Sequence, residues 1–152
     1  MKRRPSDRQL LRRARWDAEA FRAFYVRYAE PLTAWLEREA GTRDVALEIV
    51  AETFAHALVD AGRFRGEAAH GAGPWLYGVA ADLLGQHWAG EAVDTRYRRQ
   101  LGVLEETRFL QRPLLPAGEP VAATKVALRL EAALDGVPVA YREAVRSRVR
   151  WR

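Results

Sequence analysis

Between Asp17 and Ala40 the large apolar residues Phe21, Phe24, Tyr25, Tyr28, Leu32, Trp35 and Leu36 recur at spacings of three and four. At about 100° per residue they fall on one helical stripe roughly 120° wide. An aromatic stripe this regular has to be covered by other elements, so it predicts a core-facing helix, not a cofactor box. The same periodicity runs through most of the chain, while alternating apolar–polar runs and Asn-Gly hairpin turns are missing. The sequence therefore predicts an all-α fold.

Local signals delimit the helices. "SDRQLLRRA" opens on Ser6 with Gln9 three residues later, a capping-box pattern. Gly41 is suited to end the aromatic helix and Thr42 to cap the next. Pro31 lies off the aromatic stripe and is expected to kink its helix. A second helix is expected from about Asp44 to Asp60, with Ala46, Leu47, Val50, Phe54, Ala57 and Leu58 on its apolar face. On its other side Glu48, Ala51, Glu52 and Ala55 make a flat acidic patch. From its residues alone this patch reads best as a solvated face.

A glycine-rich loop, "AGRFRGEAAHGAGP", follows and carries Arg63, Arg65 and His70. It lacks the lysine and hydroxyl residue of a phosphate-cradling P-loop. Pro74 suits the first turn of a third helix. In that helix Leu76, Val79, Ala80, Leu83 and His87 share one face and Tyr77, Ala81, Leu84 and Trp88 the adjacent one, with Trp75 at the edge. An apolar arc of more than half the circumference predicts a helix wedged between neighbours. Its polar sector, Gly78, Asp82, Gly85 and Gln86, holds no cation, and the two glycines, each costing about 1 kcal/mol against alanine in a helix interior, suggest either close backbone approach or fraying. Basic residues return with Arg96, Arg98 and Arg99 beside Tyr97. "QRPLLPAGEP" reads as a linker. Helical patterns resume from about Ala122 to Leu134 and, after "GVP", from near Val139.

Composition narrows the function classes. Without cysteine the 152-residue chain has no disulfides, thiolate metal sites or cysteine nucleophile. His56, His70 and His87 show no zinc-type spacing. Glu48 and Glu52 make a poor catalytic pair, because nothing in the sequence would bury either one and raise its pKa. No enzymatic activity and no cofactor are expected. "MKRRPSDRQLL" lacks the apolar stretch of a signal peptide, and no run approaches membrane-spanning length, so a cytoplasmic protein with no membrane partner is expected. The net charge of +5 is uneven: residues 1–15 hold +6 and residues 142–152 hold +4, leaving −5 for the middle. Basic ends of this kind are either nucleic-acid or membrane arms or a consequence of arginine-rich coding and solubility, and both readings stand at this point.

Taken in order, the pieces resemble a bacterial sigma factor of the extracytoplasmic-function type, in the sigma-70 family. "SDRQLLRRARWDAEAFRAFYVRYAEPLTAWLEREAG" is similar to the family's opening and "ALEIVAETFAHAL" to its core-polymerase-binding helix. "RFRGEAAHGAGPWLYGVA" is similar to the loop and helix that engage the minus-ten element, and "ALDGVPVAYREAV" to the start of the second DNA-binding domain. The resemblance implies a three- to four-helix sigma region 2 domain over residues 1–100, a linker over 101–121, and an incomplete region 4-like segment over 122–152. That last segment stops at "SRVRWR", short of a helix-turn-helix, so Val145, Val149 and Trp151 are expected to leave apolar surface uncovered.

The resemblance also supplies partners. Glu48, Ala51, Glu52 and Ala55 would face a basic coiled coil of the large subunit of core RNA polymerase. Arg63, Arg65, His70, Trp75, Gln86, Arg96, Arg98 and Arg99 would face minus-ten promoter DNA, where captured bases are held by stacking and edge hydrogen bonds. An anti-sigma factor is a candidate third partner. Two departures bear on this. The family's usual "ARN" reads Ala80-Ala81-Asp82, and the helix's basic end reads Ala89-Gly90. Loss of these cations should weaken phosphate contacts. Ala51 also replaces a commonly polar residue. The alternatives are a degenerate sigma-like protein that binds polymerase without opening promoters, and a basic-tailed helical adaptor.

Overall fold

The structure, a computed structural model, describes the backbone of residues 3–64, 71–107 and 120–149 and the side chains of residues 3–64, 71–91 and 124–147. It is all-helical, with no strand among the described residues. In chain order the helices are α1 (Asp7–Ala14), α2 (Ala18–Ala40), α3 (Arg43–Val59), α4 (Gly73–Thr107), α5 (Pro120–Leu134) and α6 (Val139–Val149), with a 3-10 turn at Ala61–Arg63 between α3 and α4.

The helix ends are set by the local chemistry read from the sequence. Ser6 Oγ accepts from the Gln9 amide while the Gln9 side chain accepts from the Ser6 amide, a complete capping box. Asp17 caps α2 by accepting from the amides of Glu19 and Ala20. These amides, with Arg13 at 2.6 Å, hold the Asp17 carboxyl below its ordinary value. Gly41 closes α2 at φ +82°, a left-handed conformation open to glycine at little cost. Thr42 then caps α3 through the Val45 amide. The helix α2 runs through Pro31 without interruption. Proline at this position removes the amide that would bond the Arg27 carbonyl and sets its ring against that carbonyl, and the ring is exposed.

The core joins all six helices. Helix α2 packs against α1 and α3, α3 against α4, and α4 against both α5 and α6. From the aromatic stripe Phe24, Leu32, Trp35 and Leu36 are buried, Phe21 and Tyr28 are half-buried, and Tyr25 lies at the rim against Phe54, ring centroids 4.6 Å apart. On α3 the buried face is turned from the expected one. Ile49 and Thr53 are inside with Ala46, Val50, Phe54 and Ala57, whereas Leu47 is 43% exposed. Thr53 fits this position because its hydroxyl donates to the Ile49 carbonyl at 2.7 Å.

Helix α4 is wedged as its wide apolar arc requires: Leu76, Tyr77, Ala80, Ala81, Leu83, Leu84 and Trp88 are buried. Its expected polar sector is narrower than the wheel suggests. Asp82 and Gln86 are exposed, but Gly78 is buried, and Gly85 faces Leu130 of α5, which a Cβ would meet at 3.5 Å. His87, expected on an apolar face, is half-buried and bonds Glu91 at 3.1 Å. The helix also continues to Thr107, into the stretch read as linker; residues 108–119 lie outside the described residues.

Helices α5 and α6 share this core. Ala133, Leu134, Val137 and Val145 are at most 1% exposed. The expectation that Val145 would lie uncovered is therefore corrected: α6 turns it inward against the helices that precede it. Trp151 lies outside the described residues, as does the Val149 side chain. Tyr141 packs its ring 5.7 Å from that of Tyr77 and over Gly73, where a Cβ would stand 2.6 Å from the Tyr141 hydroxyl.

Candidate protein and nucleic-acid interfaces

Two helical faces carry the residues singled out from the sequence. The first is the outer face of α3. Its buried side is anchored by Ala46, Ile49, Val50, Thr53, Phe54 and Ala57, so helical geometry turns Glu48, Ala51, Glu52 and Ala55 outward, and all four are exposed. Glu48 and Glu52 are one turn apart and form no ion pair among the described residues. Alanine at 51 and 55 keeps this surface flat. Exposed Leu47 and Val59, the latter 82% exposed, border it. Two uncompensated carboxylates on a flat apolar ground suit a helix presenting cations on an apolar stripe.

The second face belongs to α4 and the turn before it. Arg63 is exposed, its guanidinium 4.0 Å from Asp60. The next residue, Phe64, stacks on Trp75 with ring centroids 5.1 Å apart and an interplanar angle of 28°. This stack places Arg63 close to the start of α4 and leaves Trp75 half-buried. Gln86 is exposed, about 16 Å further along the helix and on the same stripe as Trp75 and Asp82. Arg65 and His70 lie outside the described residues. The backbone of α4 carries Arg96, Arg98 and Arg99, whose side chains are outside the described set. Trp75 and Gln86 thus share one side of α4, Arg63 stands next in the chain to the Phe64 that stacks on Trp75, and the exposed surface between Trp75 and Glu91 contributes no arginine or lysine.

Sequence reasoning missed the group that holds this region together. Asp7, the first residue of α1, is 7% exposed. One carboxylate oxygen accepts from Arg27 of α2 at 2.7 Å. The other accepts from the Tyr28 hydroxyl and, at 2.7 Å, from the backbone amide of Ala72 just ahead of α4. Gly71 beside it has φ +58°, and a Cβ there would run into the Asp7 carboxylate. Burial, followed by the hydrogen bond to Asp7, raises the Tyr28 hydroxyl well above its ordinary value. An acidic residue at a helix start suggests only a favourable dipole interaction. Nothing in its neighbours reveals partners 20, 21 and 65 residues away.

Among the described residues no group of three or more His, Asp or Glu side chains is arranged to hold a metal ion. No described helix is long and apolar enough to cross a membrane. No family model, curated protein or solved structure matches the chain.

Proposed function

We propose that this protein is a sigma-like factor of the extracytoplasmic-function type, a cytoplasmic, non-enzymatic protein that docks on core RNA polymerase and contributes minus-ten promoter recognition. The observation that carries the reading is the outer face of α3, where Glu48 and Glu52 are exposed on an alanine ground. This is the helix whose sequence resembles the family's polymerase-binding element, and its carboxylates suit a basic coiled coil. The order of elements supports the same reading: the turn and loop before α4 and the N-terminal part of α4 follow α3 directly, as in the family's minus-ten-binding segment.

The test is the affinity of the chain for core RNA polymerase beside a Glu52→Arg variant. Reversing one exposed charge against a basic partner weakens binding about tenfold or more, while the helical circular dichroism is unchanged. Equal affinities for the two proteins, or no binding by either, would remove the reading.

A second reading is favoured by the exposed stripe of α4, which presents Asp82, Gln86, Ala89 and Gly90. Without cations there, a factor that docks on polymerase without opening promoters fits this face better. Tight polymerase binding together with no transcription from any promoter in a reconstituted assay would decide for it.

A further inference from the structure

Among the described residues, a concentration of charge without ion-pair partners lies on α1. Its inward side is fully used: Asp7, Leu10, Leu11 and Ala14 are buried. The opposite side carries Arg8 and Arg12, and Arg15 continues it because the cap residue keeps helical backbone angles, φ −64° and ψ −27°. At 3.6 residues per turn these three arginines fall within about 60° of the helix circumference and climb it over about 10 Å. All three are exposed, as are Arg3 and Arg4 ahead of the helix. None of the five forms an ion pair among the described residues.

The local acids are engaged elsewhere. Asp7 points inward to Arg27, Asp17 is taken by Arg13 at 2.6 Å, and Glu19 faces Arg22 at 3.7 Å. At the upper end of the ladder Trp16 is 79% exposed, with the Arg15 guanidinium 5.8 Å from its ring centroid.

We propose that this ladder is a binding site for single-stranded DNA, with Arg8, Arg12 and Arg15 on successive phosphates and Trp16 as a platform for a base. Charge complementarity selects a polyanion. A stacked strand carries a phosphate about every 3.4 Å, so about three pass along the length the arginines span. The exposed indole selects a single strand, since only unpaired bases offer a free face for stacking. A membrane surface is disfavoured because the apolar side of α1, Leu10, Leu11 and Ala14, is already inside the core, leaving Trp16 alone beside the ladder to insert between lipids where a surface-lying helix needs a whole apolar face. This site is separate from the acidic face of α3 and does not depend on the polymerase reading.

The experiment uses the full chain and a fluorescein-labelled oligothymidylate of about 20 nucleotides, with anisotropy titrations from about 50 to 200 mM salt. Replacing Arg8, Arg12 and Arg15 together by Gln should reduce the slope of log affinity against log salt by about 2, since each phosphate left unneutralised lowers it by about 0.7. A control with Arg22, Arg38 and Arg43 replaced by Gln makes the same change in net charge and should reduce the slope by less than about 1. The single variants Arg8→Gln and Arg12→Gln, each reducing it by about 0.7, serve if the triple variant does not fold. Trp16→Ala should weaken single-strand binding about tenfold with the slope unchanged.

An equal reduction of slope in the ladder variant and the control would overturn the site, as would no reduction in either. A Trp16→Ala variant that weakens duplex and single strand alike would overturn the assignment to a single strand. Retained oligonucleotide affinity in the ladder variant, with binding abolished only to phosphatidylserine vesicles, would overturn it in favour of a membrane surface.

Discussion

The indole N–H of Trp35 in α2 donates to the carbonyl of Ala133 in α5 at 3.0 Å, joining residues 98 apart in the chain. The ring is 1% exposed and also packs on Tyr77 of α4, centroids 5.4 Å apart. One side chain therefore connects the aromatic helix, the central helix and the C-terminal pair. Trp35→Phe keeps much of the apolar packing but removes the donor and part of the ring. It should cost about 1–3 kcal/mol in urea unfolding followed by circular dichroism. An unchanged midpoint and slope would show that α5 contributes little to the common core.

Asp7 should be the most sensitive polar position. Asp7→Ala strands the mostly buried guanidinium of Arg27, the Tyr28 hydroxyl and the Ala72 amide together. Breaking a buried pair from one side costs about 3–5 kcal/mol. Tyr28→Phe, which removes one donor and leaves the ion pair, should cost only about 1–2 kcal/mol. Comparable losses in the two variants would mean that the Arg27 pair contributes nothing beyond the hydroxyl.

Gly73 faces the ring of Tyr141, and a Cβ would stand 2.6 Å from its Cε2. Gly73→Ala should destabilise by about 1–3 kcal/mol, the usual range for overpacking. Combining it with Tyr141→Leu should restore part of the loss, so the two changes should be non-additive when measured as a double-mutant cycle. Strict additivity would place the cost in the backbone, not in the ring packing.

Burial raises the carboxyl of Glu39 above its ordinary value of 4.5, with Arg38 and Arg129 offsetting this in part. Its charged form is thus disfavoured by folding. The resulting destabilisation is fully present above the raised value, fades as pH falls through it, and is gone below 4.5. Glu39→Gln should raise the melting temperature at neutral pH, and the gain should shrink towards zero in melts below about pH 4. A gain independent of pH would assign the effect to packing.

At the alkaline end the hydroxyls of Tyr28 and Tyr77 titrate late. Desolvation is the leading cause for both, and Tyr77 is pushed up to about 12. A raised tyrosine contributes stability that is complete below the ordinary value of 10 and lost as pH rises through the folded one. Ultraviolet tyrosinate difference spectra between the wild type and Tyr28→Phe should show Tyr28 ionising together with the loss of helix. Ionisation of Tyr28 near pH 10 with the helices intact would contradict its burial.

The sequence by itself determined what acts within a few residues. Ser6, Gln9, Gly41 and Thr42 mark helix ends because a cap joins near neighbours, and the outward position of Glu48 and Glu52 follows from the pitch of α3. The exposed arginines of α1 were likewise visible as a basic end. Their meaning was not, because only burial of Leu10, Leu11 and Ala14 decides which arginines share an outer face and that the nearby acids are occupied. Tertiary structure alone decided that Asp7 meets Arg27, Tyr28 and Ala72, that Trp35 reaches Ala133, that Gly73 lies under Tyr141, and that Val145 is covered. Each of these depends on which helices lie side by side. Periodicity states how wide an apolar face is, but apolar attraction is non-directional and does not name the partner.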